Sequence, residues 1–215
     1  MALFGCTTAP QKKIEFHTTR VPLDAAHWYV AYDGGGEVSY REARIRFRPE
    51  AVKQDHETKA ALLLLREVPL ETAGIRVRYR VLRQLRPNPR PWEVFWLFFG
   101  YRPGEEIKTK TTDYFILKTN GVEAGKAFDE IEQEFLLTKD SPKLAIGRTH
   151  ELSLQFEDRE VHFLVDGRSA AKSPHDFDSS RFYSRQTRDI GTFGLYAEDA
   201  EIEIESVELL QRRRL

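Results

Sequence analysis

Three stretches of the chain alternate charged and apolar residues with a strict period of two. They are Arg44-Ile-Arg-Phe-Arg48, Ile75-Arg-Val-Arg-Tyr-Arg-Val81 and Glu201-Ile-Glu-Ile-Glu205. Side chains two apart share one face of an extended strand, so each stretch reads as a strand with one packed face and one solvated face. Two of the solvated combs are arginine and the third is glutamate. An arginine comb can be a stripe for phosphate or nucleic acid, or one half of a cross-strand ladder. Opposite charges on neighbouring strands gain roughly 0.2–1 kcal/mol per pair, whereas like charges repel. The glutamate comb favours the ladder, and it predicts that 201–209 pairs with 75–81, or with 44–48, or sits between them. The formal net charge of −1 also leaves no overall field to attract nucleic acid.

The rest of the chain has the same β character. His27–Ala31, Trp92–Tyr101, Tyr114–Asn120, Glu134–Thr138 and Thr192–Tyr196 are short β-prone runs bounded by turn formers. His150–Phe156 and Glu160–Val165 form a hairpin with its bend at Glu157-Asp158-Arg159, and Asp166-Gly167 turns again. Lys59–Val68 suits a helix by composition, but its six consecutive apolar residues also suit a strand buried on both faces. Its β surroundings favour the strand. Asp33–Gly36, Arg86–Pro91 and Arg102–Glu106 read as turns or rigid loops, and 172–190 as a long polar surface loop. With 215 residues, the expectation is an all-β, two-sheet antiparallel sandwich. It forms a single domain over 14–211, between an N-terminal tail (1–13) and a basic end (212–215).

Trp92–Gln133 carries the candidate site. Polar residues are threaded among its aromatics: Glu93, Lys118, Asn120, Glu123, Lys126 and Glu132. By alternation, Tyr114, Ile116, Lys118 and Asn120 share one face, and Trp92, Val94, Trp96 and Phe98 oppose Glu93, Phe95, Leu97 and Phe99. Aromatic platforms with a few aimed polar groups suit a hydroxyl-rich ligand. A saccharide would stack on Trp92, Trp96 or Tyr114 and hydrogen-bond to Glu93, Lys118, Asn120, Glu123 and Lys126. The alternative is a buried polar cluster, with Lys118 paired to Glu93 or Glu123 and holding strand register.

The strings WEVFWLFFGYRP, DYFILKTNGVEAGKAFDE and IGTFGLYAEDAEIEIESVEL, with a hairpin ending in Val165-Asp-Gly167, resemble the concanavalin A-like lectin/glucanase jelly-roll superfamily. More narrowly they resemble laminin-G-like and keto-disaccharide-hydrolase-like bacterial modules. The resemblance spans about residues 27–210. It implies a jelly roll with a concave sheet carrying the ligand groove, and a structural calcium away from it, for which Glu198 and Asp199 are the acidic pair to test. Glu130-Ile-Glu-Gln-Glu134 is similar to the Glu-x-Asp-x-Glu strand of laminarinase-type glucanases. That implies Glu130 and Glu134 as nucleophile and acid/base, with Glu132 in place of the aspartate. The replacement puts the ionisation of its neighbours in doubt.

The lone cysteine, Cys6, excludes an internal disulfide and a cysteine metal cluster. Leu3-Phe-Gly-Cys6 resembles the end of a bacterial lipoprotein signal, but the basic start and long apolar run are missing. The longest apolar run, Ala60–Leu65, is far shorter than a membrane span. The six histidines are scattered; only His150 and His162 could face each other, across the hairpin. Three functions remain open: a glycan-binding or adhesive module in the cell envelope or outside the cell, a glycoside hydrolase of the same fold, and a cytoplasmic interaction module with no ligand.

Overall fold

The computed structural model describes residues 15–69, 71–102, 111–128, 132–157, 160–172 and 192–212. Cys6, Glu130, the body of the expected 172–190 loop and most of the 102–106 turn and the hairpin bend lie outside them. Among the described residues there are fifteen strands and no helix. In chain order they are β1 (Phe16–Val21), β2 (Trp28–Tyr32), β3 (Glu37–Arg41), β4 (Arg44–Arg48), β5 (Ala60–Leu65), β6 (Thr72–Gln84), β7 (Phe95–Arg102) and β8 (Thr111–Lys118). There follow β9 (Gly121–Phe128), β10 (Glu132–Lys139), β11 (Thr149–Glu157), β12 (Glu160–Val165), β13 (Arg168–Lys172), β14 (Thr192–Glu198) and β15 (Ala200–Arg212).

The strands form two sheets. The first runs β13-β12-β11-β6-β15-β4-β3, with β1 also on β15, and the second runs β10-β9-β8-β7-β14-β5-β2. All recorded pairings are antiparallel. The core lies between the sheets. Tyr79 of β6 meets Phe95 of β7 at 4.3 Å between ring centres, and Phe163 of β12 meets Phe115 of β8 at 4.9 Å. Phe95, Leu97 and Phe99 therefore point inward from β7, as Phe115 and Leu117 do from β8, and all five are fully buried.

The charged combs form the ladder. β15 sits between β6 and β4, with Glu203 in register with Arg80 on one side and Arg46 on the other. Glu203 binds Arg44 at 2.7 Å and Arg80 at 2.6 Å. Glu201 takes Arg46 and, at 2.7 Å, Arg83, and Glu208 takes Arg76 at 3.1 Å. The arginines are thus balanced on the outer face of the first sheet. A bulge between Ile204 and Ser206 resets the alternation, so Ile202, Ile204, Val207 and Leu209 all bury.

Lys59–Val68 contains strand β5, and both of its faces are buried. Three expected placements change. β7 starts at Phe95, which leaves Trp92 and Glu93 in the preceding turn, where the Val94 N–H donates to the Trp92 carbonyl at 2.9 Å. β8 ends at Lys118, so Asn120 is an exposed turn residue and does not share the Tyr114 face. His162 lies opposite Gln155, not His150. His150 instead accepts the Ala145 N–H and meets Asp166 at 3.0 Å.

Candidate functional site

The outer face of the second sheet carries two side-chain rows, each crossing all seven strands. The first is Tyr32, Leu62, Tyr196, Trp96, Ile116, Glu123 and Thr138. The second is Tyr29, Leu64, Gly194, Phe98, Tyr114, Gly125 and Phe135. Directly opposed residues of antiparallel neighbours project to the same side, which fixes these memberships. At ~4.8 Å per strand each row is about 29 Å long. Its ends are open: Tyr29, Tyr32 and Phe135 are 49%, 45% and 63% exposed, whereas Trp96 and Tyr114 in the middle are buried.

The middle is an aromatic cluster. Phe98 stacks on Tyr196 at 4.8 Å, and Trp96 packs against Tyr114 at 4.9 Å and edge-on to Tyr196 at 5.7 Å. Two glycines make room for it. A Cβ on Gly125 would lie 2.5 Å from the Tyr114 Oη, and one on Gly194 would crowd Phe98 and Leu62 at 3.1 Å. Tyr114 thus lies over Gly125 and reaches Glu123, donating to its Oε1 at 3.1 Å. Lys118 Nζ binds the other oxygen, Oε2, at 2.5 Å. Burial, then the Glu123 charge, pushes the Tyr114 phenol well above its usual range.

Trp96, Tyr114, Lys118 and Glu123 therefore meet as foreseen, but as a buried and internally paired floor. The alternative of a Lys118–Glu123 pair holding register describes their contacts. Glu93 is elsewhere: 1% exposed, it pairs with Arg86 at 2.6 Å and accepts the Arg90 N–H at 2.8 Å. Trp92 is 39% exposed, has the Arg90 guanidinium 5.6 Å from its ring centre, and holds Trp96 through the Trp96 Nε1–H donating to its carbonyl at 2.8 Å. Lys126 projects to the opposite side from the rows, in register between Asp113 and Glu134.

Glu134 also lies on that opposite side, because it alternates with Phe135 on β10, the edge strand of the sheet. It is exposed, and of Glu132 only the backbone is described. Glu134, the one glutamate of this stretch whose side chain is described, is not beside the aromatic rows.

The rows meet a carboxyl cluster at the end of β14. The buried Arg86 guanidinium binds Glu93 and, at 2.7 Å, Asp199 Oδ2, and donates to the carbonyls of Asp55 and Glu57 at 2.9 and 2.6 Å. The other oxygen of Asp199 accepts the Lys59 N–H at 2.9 Å. Both oxygens of Asp199 are thus held by donors, and among the described residues no three acidic, histidine or cysteine side chains gather as a cation site. Asp199 therefore has no oxygen to spare for the expected calcium.

Glu198 is left outside this pairing. Its Oε2 accepts the Tyr196 hydroxyl at 3.2 Å. Burial pushes its carboxyl up to about 7; the Tyr196 hydrogen bond and Arg86 pull the other way, and the charges of Asp199 and Glu93 add to the rise. In the sequence Glu198 stands out only as half of an acidic pair, and Tyr29 and Tyr32 carry no site signal at all. A bulge between Val30 and Tyr32 puts both tyrosines on one face, which plain alternation forbids.

No protein-family model and no curated protein matches the chain. Solved structures do. A protein of unknown function with a galectin-like fold from Bacillus subtilis has TM-score 0.62 at 13% identity, covering 94% of this chain and 100% of its own. The laminarinase catalytic domain from Thermotoga maritima has TM-score 0.58 at 12% identity, covering 94% and 100%. The carbohydrate-binding module CBM66 from Bacillus subtilis has TM-score 0.57 at 12% identity, covering 84% and 93%. The chain has the concanavalin A-like jelly-roll fold.

Proposed function

We propose that this chain is a carbohydrate-binding module, with the saccharide lying along the outer face of the seven-stranded sheet. The observation that carries the reading is the pair of side-chain rows crossing that sheet, with aromatics on five of its seven strands, buried at the centre and open at Tyr29 and Tyr32. A packed aromatic floor with accessible rings at its edge gives flat apolar surface for sugar rings. Trp92, also exposed, supplies a further ring. The buried Trp96, Tyr114, Lys118 and Glu123 hold the surface in shape. A module named for carbohydrate binding and a catalytic domain named laminarinase share the fold, which agrees with this reading. Hydrolysis by the 130–134 stretch has less support, since Glu134 points away from the rows.

The same reading puts the protein where polysaccharide is met, in the envelope or outside the cell, with Cys6 as the candidate lipid anchor. Fatty-acid labelling that is lost in Cys6→Ser would support the anchor. For the site, affinity electrophoresis against neutral polysaccharides should show retardation that weakens about tenfold, or ~1.4 kcal/mol, in Tyr32→Ala and in Tyr29→Ala. Retardation by none of them, or equal retardation in both variants, overturns the reading. Reducing-sugar release from the same polymers would instead establish a hydrolase.

A further inference from the structure

Three carboxyls, Glu93, Asp199 and Glu198, act on one guanidinium at the end of the aromatic rows. Arg86 makes direct ion pairs with the first two. Among the described residues, Glu198 has only the Tyr196 hydroxyl as a hydrogen-bond donor to its side chain. Yet its position faces the ligand side. It lies two residues along β14 from Tyr196, which belongs to the first row, and opposite Ala60 of β5. Tyr32, 45% exposed, stands in the same row as Tyr196, one strand beyond Leu62. An ionised carboxylate has about four acceptor sites, so one phenol leaves most of them unmet. Burial raises its proton affinity, and the single Tyr196 hydrogen bond together with Arg86 does not offset it.

Two adjacent sugar hydroxyls can supply the missing donors. We propose that Glu198 is the hydroxyl-accepting anchor of the site: its carboxylate takes O–H donors from a vicinal hydroxyl pair of a neutral sugar, and Tyr32 and Tyr196 bed the ring. The inference rests on the carbohydrate reading and deepens it by naming the ligand class. The ligand is uncharged. A uronate would bring a fourth carboxylate beside Glu93, Asp199 and Glu198, against one already neutralised cation.

Titration calorimetry with cellohexaose, whose glucose units carry free 2,3-hydroxyl pairs, and with a galacturonate hexamer tests this at pH 8. Wild-type protein should bind cellohexaose at least tenfold more tightly than the uronate. Glu198→Gln, an isosteric change that turns one acceptor into a donor, should lose at least tenfold for cellohexaose and narrow that gap. Glu198→Asp, which keeps the charge but withdraws the oxygens, should lose a similar factor. Cellohexaose affinity within twofold of wild type in both variants overturns the role of Glu198 and leaves the carbohydrate reading standing. Wild-type preference for the uronate overturns the ligand class. Absence of wild-type binding to cellohexaose and to a panel of other neutral oligosaccharides overturns both.

Discussion

Arg86 and Asp199 make a buried ion pair, Nη2 to Oδ2 at 2.7 Å, with side chains 3% and 0% exposed. The pair joins the loop before β7 to the junction of β14 and β15. Through the carbonyls of Asp55 and Glu57 it also fixes the segment leading into β5. Asp199 holds a left-handed backbone conformation, φ 42°, at the point where the chain leaves one sheet for the other.

Removing one member of such a pair leaves a buried charge uncompensated. Arg86→Met should therefore cost about 3–5 kcal/mol in urea unfolding. Glu93→Gln should cost less, because Arg86 keeps Asp199. Equal losses in the two variants would show that Glu93, not Asp199, is the principal partner.

The Lys118–Glu123 pair offers a second test, in which removing both partners should reverse most of the loss. Lys118→Met alone, or Glu123→Leu alone, should destabilise by roughly 3–5 kcal/mol, because each strands the other charge. The double variant should recover most of the loss, since apolar replacement of a whole buried pair is often neutral. Glu123 also accepts from Tyr114, so some loss should persist from that orphaned hydroxyl. A double variant as unstable as the sum of its parts would contradict the pairing.

The ladder on the first sheet should behave differently at its two ends. Arg46 and Arg83 are about half exposed, and each shares Glu201, whose side chain is 3% exposed. Losing either arginine should cost less than about 1 kcal/mol. Glu201→Ala should cost more than either, because it orphans both at once. For Glu201 and Glu203, burial raises the proton affinity, but the arginine hydrogen bonds outweigh it and leave both carboxyls below their usual range. Carboxyls depressed on folding add stability above their unfolded value, near 4.5, and that contribution fades as pH falls through the folded value. Thermal melting in acid should therefore decline less steeply in Glu201→Gln than in wild type.

The ladder was legible because charge and hydrophobicity alternate inside single strands, and the glutamate comb could satisfy only the arginine combs. The double-faced burial of β5 was legible for a similar reason: six apolar residues leave no face for water. The site was less legible. Its rows exist only across strands, through pairings such as Leu62 with both Tyr32 and Tyr196, and no single stretch records them. The bulge at Val30–Tyr32 and the early stop of β8 at Lys118 each shift residues relative to strict alternation. Strict alternation puts Asn120 on a face it does not occupy and leaves Tyr32 off a face it does.

Glu198 gives the last prediction, and its sign is opposite to that of the ladder. Its carboxyl is raised on folding, from 4.5 to about 7. Between those two values the folded protein holds a proton that the unfolded chain has lost, so stability falls as pH rises through that window. Above it the penalty is constant, on the order of 3 kcal/mol at 1.36 kcal/mol per unit. Glu198→Gln removes the ionisation and keeps the shape. The variant should be more stable than wild type at pH 8, by up to about 3 kcal/mol, and indistinguishable from it at pH 4. Paired urea titrations at the two pH values check this. A stability difference that does not change with pH would mean that the Glu198 carboxyl titrates alike in the folded and unfolded protein.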